Sequence, residues 1–136
     1  MRVLIFGATG GTGRQLVFQA LRRGYDVSAF ARNPGRLAIV DPRLRVVQGD
    51  VQRVESIRSA TPGHDAVLSA LGTRSLGPTT LLSDATRDIV AAMQTHGVRR
   101  IIWESSLGVG ETRGRLGPLY NWLLIPLLLR HVFADK

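Results

Sequence analysis

The chain has 136 residues, 44% hydrophobic and 21% charged, a globular composition that excludes a disordered, collagenous or fibrous protein. It has no cysteine, which excludes disulfide staples, thiolate zinc sites and a cysteine nucleophile. Net charge is +8, residues 1–60 hold ten arginines against four acids, and aromatics are only 6%; the scattered arginines form no stacking platform for nucleic acid and suit a phosphate-bearing small ligand instead.

Arg2–Phe6 (RVLIF) is a short apolar run ended by glycine and predicts a buried strand. Gly7–Gly13 is a turn. Over Thr12–Arg23, Leu16, Val17, Ala20 and Leu21 recur at helical spacing, and Gly24 is a stop. Tyr25–Phe30 predicts a second strand, Arg32–Ile39 a turn with one helical turn, and Leu44–Val47 a third strand. Asp50 is placed to cap a helix over Val51–Ala60, whose Val51, Val54 and Ile57 share a face. Pro62-Gly63 ends it, and Ala66–Ala70 predicts a fourth strand. Pro78 suits the first turn of a long helix with Leu82, Ala85, Ile89 and Met93 on its apolar face and Gly97 as its stop. Arg100–Trp103 predicts a fifth strand, Glu104–Gly117 a polar loop, and a last apolar helix starts near Pro118.

Strand and helix alternate with short connections, and no internal repeat interrupts them. That pattern predicts right-handed βαβ units in a parallel sheet covered by helices on both faces. The apolar run Leu116–Leu129 is broken by Gly117, Pro118, Asn121 and Pro126. It falls short of the ~20 residues a membrane span needs and reads as a buried or interface helix. No signal-peptide pattern is visible, so a cytoplasmic protein is expected, with no membrane partner.

Gly7-Ala8-Thr9-Gly10-Gly11-Thr12-Gly13 follows a strand and opens a helix. In a dinucleotide-binding turn one glycine makes the bend, one lets pyrophosphate reach the backbone, and one lets helix and strand pack closely. The helix N-terminus supplies free N–H groups for the phosphates. The residues after the second strand select the cofactor: an acid holds the ribose 2′-hydroxyl of NAD, an arginine the 2′-phosphate of NADP. Here Arg32 and Arg36 follow the strand, and no acid comes before Asp41. The two guanidinium groups predict a clamp for NADP(H). No metal site is expected.

GATGGTG at 7–13, Arg32 and Arg36, and Gly49-Asp50-Val51 resemble the atypical short-chain dehydrogenase/reductases with NmrA-like NAD(P)-binding domains. The stretch 71–106, LGTRSLGPTTLLSDATRDIVAAMQTHGVRRIIWESS, is similar to the biliverdin-IXβ reductase / NADPH-dependent flavin reductase group. The resemblance covers residues 1 to about 108. It implies a Rossmann-type doubly wound parallel sheet of order 3-2-1-4-5. It also implies that Gly7, Thr9, Gly10, Gly11, Thr12 and Gly13 wrap the pyrophosphate, with Thr12 near the adenosine phosphate. Asp50 and Val51 would flank the adenine. Ala70, Leu71, Gly72 and Thr73 would line the cofactor past the fourth strand. Ser105 and Ser106 would sit beside the nicotinamide as the catalytic candidates.

One departure matters. Many superfamily members use a Tyr-x-x-x-Lys pair, which a helix puts on one face. Here Val132 stands four residues before Lys136, and Leu124 four after Tyr120, so the pair is missing. The biliverdin/flavin reductase group also works without that tyrosine. An NADPH-dependent reductase of a flavin, quinone or biliverdin-like acceptor is therefore expected, with an NmrA-like redox sensor as the alternative. Members of that family continue beyond the fifth strand for longer than this chain does. The expectation is thus a single NAD(P)-binding domain over 1–136 that lacks its C-terminal strands, with residues 116–133 forming a homodimer interface.

Overall fold

The computed structural model describes residues 1–72 and 80–104. Five strands form one parallel sheet: β1 (Arg2–Phe6), β2 (Asp26–Ala31), β3 (Leu44–Gln48), β4 (Ala66–Ser69) and β5 (Ile101–Trp103). Their order is β3-β2-β1-β4-β5, as the family resemblance implied. Three helices connect them: α1 (Gly11–Arg22), α2 (Val54–Ala60) and α3 (Leu81–Thr95).

A parallel sheet is covered on both faces, so its central strands read as unbroken apolar runs. In β1, Val3 to Phe6 are all buried. Leu4, Phe6, Phe30 and Val67 pack on one face with Ile57 of α2 and Ala85, Ile89 and Met93 of α3. Val3, Ile5, Val27, Ala29 and Ala66 pack on the other with Val17, Ala20 and Leu21 of α1. From β1 the chain first builds outward to β3, then returns to place β4 on the far side of β1. That reversal opens a crevice beyond the carboxyl ends of β1 and β4, where open α/β sheets bind ligands.

Two boundaries differ from expectation for identifiable reasons. β2 starts at Asp26 because the Tyr25 amide still donates to the Ala20 carbonyl and closes α1. α2 starts at Val54, not Val51. Asp50 does not cap it: the Asp50 carboxylate accepts from the Gln52 amide at 3.0 Å and its carbonyl from the Arg53 amide. This Asx turn competes with helix for the same backbone groups. α3 begins at Leu81, with Thr80 as its N-cap residue, and Pro78 lies outside the described residues. So does the apolar segment Leu116–Leu129. Among the described residues no helix is long and apolar enough to cross a membrane.

Asp65 pins the start of β1 by accepting the Arg2 amide at 2.6 Å. That backbone hydrogen bond, helped by the nearby Arg2 charge, holds the Asp65 carboxyl below its ordinary value of 3.8. A depressed acid stabilises the fold above its unfolded value, and the contribution is lost as pH falls through the folded one. Asp65→Asn is therefore expected to lower Tm slightly at neutral pH. The gap between the two melting curves should close as pH drops below 3.8.

Candidate functional site

The site starts at the turn between β1 and α1. Gly7 has φ +74°, a left-handed conformation that glycine adopts without strain. A β-carbon there would lie well inside 3.0 Å of the Ala70 carbonyl, so the end of β4 packs directly on the turn. A β-carbon at Gly13 would likewise collide with the Gly7 carbonyl. The turn closes with the Gly10 amide donating to the Gly7 carbonyl at 3.0 Å. Gly10 is the extended N-cap of α1, and no side chain caps the helix. The amides of Gly11, Thr12 and Gly13 have no acceptor within the helix. Around Gly11 a β-carbon would meet nothing within 4 Å. Free N–H groups and an open approach at a helix N-terminus make an anion cradle.

Arg32 and Arg36 lie at the end of β2, Arg36 in a single 3-10 turn over Pro34–Arg36. Both are exposed. Arg14, in the first turn of α1, donates from its guanidinium to the Arg36 carbonyl at 2.5 Å. This bond ties the glycine turn to the loop after β2. Among the described residues none of Arg14, Arg32 and Arg36 is in an ion pair. Asp41, the first acid after β2, is occupied by Arg43: it accepts the Arg43 amide at 2.8 Å and lies 3.4 Å from its Nε. The amide bond, with the neighbouring guanidinium, holds the Asp41 carboxyl below the usual range.

Asp50 and Val51 follow β3. Val51 is buried in the core beside Phe30 and Ile57. It also borders a groove of about 450 Å³ lined by Gln52 and by Thr80, Leu81, Asp84, Ala85 and Asp88 of the α3 end. Thr80 and then Arg87 hold the Asp84 carboxyl below its ordinary value. Ala70, Leu71 and Gly72 leave β4 beside the glycine turn, and the Ala70 amide donates to the Phe6 carbonyl at 3.0 Å. Thr9, Gly10, Gly11 and Thr12 share that end of the sheet. Thr73, Ser105 and Ser106 lie outside the described residues.

Two residues absent from the expected site are brought to it by the fold. Arg14 is one. Its signal was a cation in the first helical turn, where the macrodipole disfavours it. Glu104 is the other. It follows β5, and its carboxylate accepts the Thr12 hydroxyl at 3.1 Å, 92 residues away in sequence. No local pattern announces that contact. The Ser69 hydroxyl is buried and has no hydrogen-bond partner among the described residues. No metal-ligand cluster occurs among the described residues.

A family model described as NAD(P)H-binding matches residues 7–136. The chain is 29% identical over 115 residues to the photosystem II assembly factor Ycf39 of Synechocystis, covering 82% of this chain and 35% of that protein. It is 31% identical over 120 residues to a 3-beta-hydroxysteroid dehydrogenase of Mycolicibacterium neoaurum, covering 79% and 32%. A Rossmann-fold NAD(P)-binding family protein from Shigella flexneri superimposes with a TM-score of 0.68 at 29% identity, over 83% of this chain and 55% of that one. The chain spans about a third of the length of the curated relatives it matches.

Proposed function

We propose, from the premise that this chain belongs to the NAD(P)H-binding family, that it binds NADP(H) in the crevice and serves as a reductase of a conjugated acceptor. The observation that carries the cofactor choice is the end of β2. Arg32 and Arg36 stand there with Arg14 tied in across the turn, and the first acid is already held by Arg43. Three guanidinium groups without an ion pair among the described residues suit a 2′-phosphate, and the first acid after β2 is not offered to a 2′-hydroxyl.

The fit extends along the crevice. The Gly11, Thr12 and Gly13 amides take the pyrophosphate. Asp50 and the groove beside Val51 suit adenine, whose amino group donates to carboxylate oxygens. Ala70, Leu71 and Gly72 lie on the path toward β5, and Thr73, Ser105 and Ser106, outside the described residues, stay candidates from the family resemblance. The cofactor supplies the hydride. A flavin, quinone or tetrapyrrole acceptor takes its proton from solvent, which accounts for a site without the Tyr-x-x-x-Lys pair.

A second reading is a non-catalytic NADP(H)-binding regulatory protein. The similarity to an assembly factor favours it. Steady-state NADPH oxidation with FMN, a quinone and biliverdin separates the two. Turnover with any of them establishes the reductase. Micromolar NADPH binding with no turnover on all three leaves the regulatory protein. Residues 116–133 are proposed to pair two copies in the cytoplasm, and a monomeric mass by light scattering would refute that pairing.

A further inference from the structure

We propose that Glu104 makes this site favour the oxidised nicotinamide over the reduced one. The proposal rests on the reading of the crevice as a nicotinamide dinucleotide site. It does not depend on the 2′-phosphate.

Glu104 continues the β4–β5 pairing one step past Trp103, its amide donating to the Ser69 carbonyl at 2.9 Å. Its side chain turns to the first turn of α1, where the Thr12 hydroxyl donates to Oε1 at 3.1 Å. The carboxylate therefore stands where the N-terminus of α1 meets the carboxyl end of β5. Among the described residues no cation pairs with it, although the chain carries a net charge of +8.

The strand order fixes which half of a dinucleotide it meets. The adenosine half belongs over β2 and β3, by the arginines and Asp50. The pyrophosphate belongs at the α1 N-terminus. The remaining half must run over β4 and β5, the side on which Glu104 lies. The two redox forms differ there by one charge: the oxidised ring is a cation and the reduced ring is neutral. A carboxylate attracts the first and not the second. Its repulsion of the phosphates is common to both forms and cancels in their ratio. Preference for the oxidised form also makes the bound reduced cofactor a stronger hydride donor, because the product of hydride loss is the form held more tightly.

Glu104 is exposed and the amide is isosteric, so Glu104→Gln should fold. Dissociation constants of the whole chain for NADP⁺, NADPH, NAD⁺ and NADH, by calorimetry, provide the test. In Glu104→Gln the ratio Kd(oxidised)/Kd(reduced) should rise roughly three- to tenfold. In the unaltered chain, added salt should move the ratio the same way, while Glu104→Gln stays nearly flat. A ratio unchanged by the substitution, with both affinities shifting together, would mean that Glu104 serves only the helix end, and the proposal is overturned. If the unaltered chain binds none of the four nucleotides, the cofactor reading itself fails and takes this one with it.

Discussion

Gly13→Ala is expected to remove a large share of the fold's stability, while Gly11→Ala leaves it intact. Both are glycines of one seven-residue turn, two positions apart, and they differ only in their surroundings. At Gly13 a methyl group would run into the Gly7 carbonyl and the Ala8 α-carbon. These are backbone atoms in the central turn of the sheet. Neither can rotate away, and relief requires α1 to lift off β1. Overpacking in a tight core costs about 1–3 kcal/mol and more where backbone must move. A domain has only ~5–15 kcal/mol in total. At Gly11 the same methyl meets nothing. Alanine there is also the better helix former, by roughly 0.5–1 kcal/mol. Thermal melts of the two variants should diverge, with Gly13→Ala melting far below the unaltered chain and Gly11→Ala at or above it. Gly11→Ala should still weaken NADPH, because its methyl occupies the approach to the free amides. Equal stability of the two variants would show that the turn is not packed as described.

Arg32→Ala combined with Arg36→Ala should cost NADPH far more affinity than NADH. A hydrogen bond to a charged group contributes about 1.5–3 kcal/mol, which is roughly ten- to a hundredfold in Kd. The loss falls on the 2′-phosphate alone, so NADH binding should change by no more than a few-fold. Arg14 offers a further check. Its guanidinium holds the Arg36 carbonyl, so Arg14→Ala releases the loop as well as removing a charge. Arg14→Lys keeps the charge but not the planar fork that binds carbonyl and phosphate together. Selectivity should fall in both variants, further in alanine. Equal losses for NADPH and NADH in the double variant would mean that the arginines only raise the general positive field.

Much of this was legible in the chain itself. The glycine spacing of 7–13 between an apolar run and a helical one locates the tight turn from β1 into α1, because Gly7 and Gly13 stand where a β-carbon would strike backbone. The apolar runs that become β1, β2 and β4, alternating with helical segments, give a parallel sheet, because strands buried on both faces need no polar alternation. Arg32 and Arg36 with no acid before Asp41 are the sequence signal behind the proposed NADP(H) preference, because the charge after β2 distinguishes the two cofactors. Local competition was less legible. Asp50 has the look of a helix cap, yet it forms its own turn with Gln52 and Arg53, and α2 begins four residues later. A short polar side chain suits either arrangement equally well, and the packing of Val51 into the core selects the turn.

What the sequence determined by itself was the class of fold, the place of the glycine turn at the head of α1 and the positive charge after β2. Each rests on neighbours within a few positions, where spacing maps directly onto backbone geometry. The tertiary structure alone decided which distant residues complete the crevice. It placed the Ala70 carbonyl against Gly7, bound Arg14 to Arg36 across 22 positions, and set the Glu104 carboxylate on Thr12 across 92. The first and last of those contacts depend on β4 crossing to the far side of β1 and on β5 joining it there. Strand order brings their ends to one edge, and no periodicity along the chain records it.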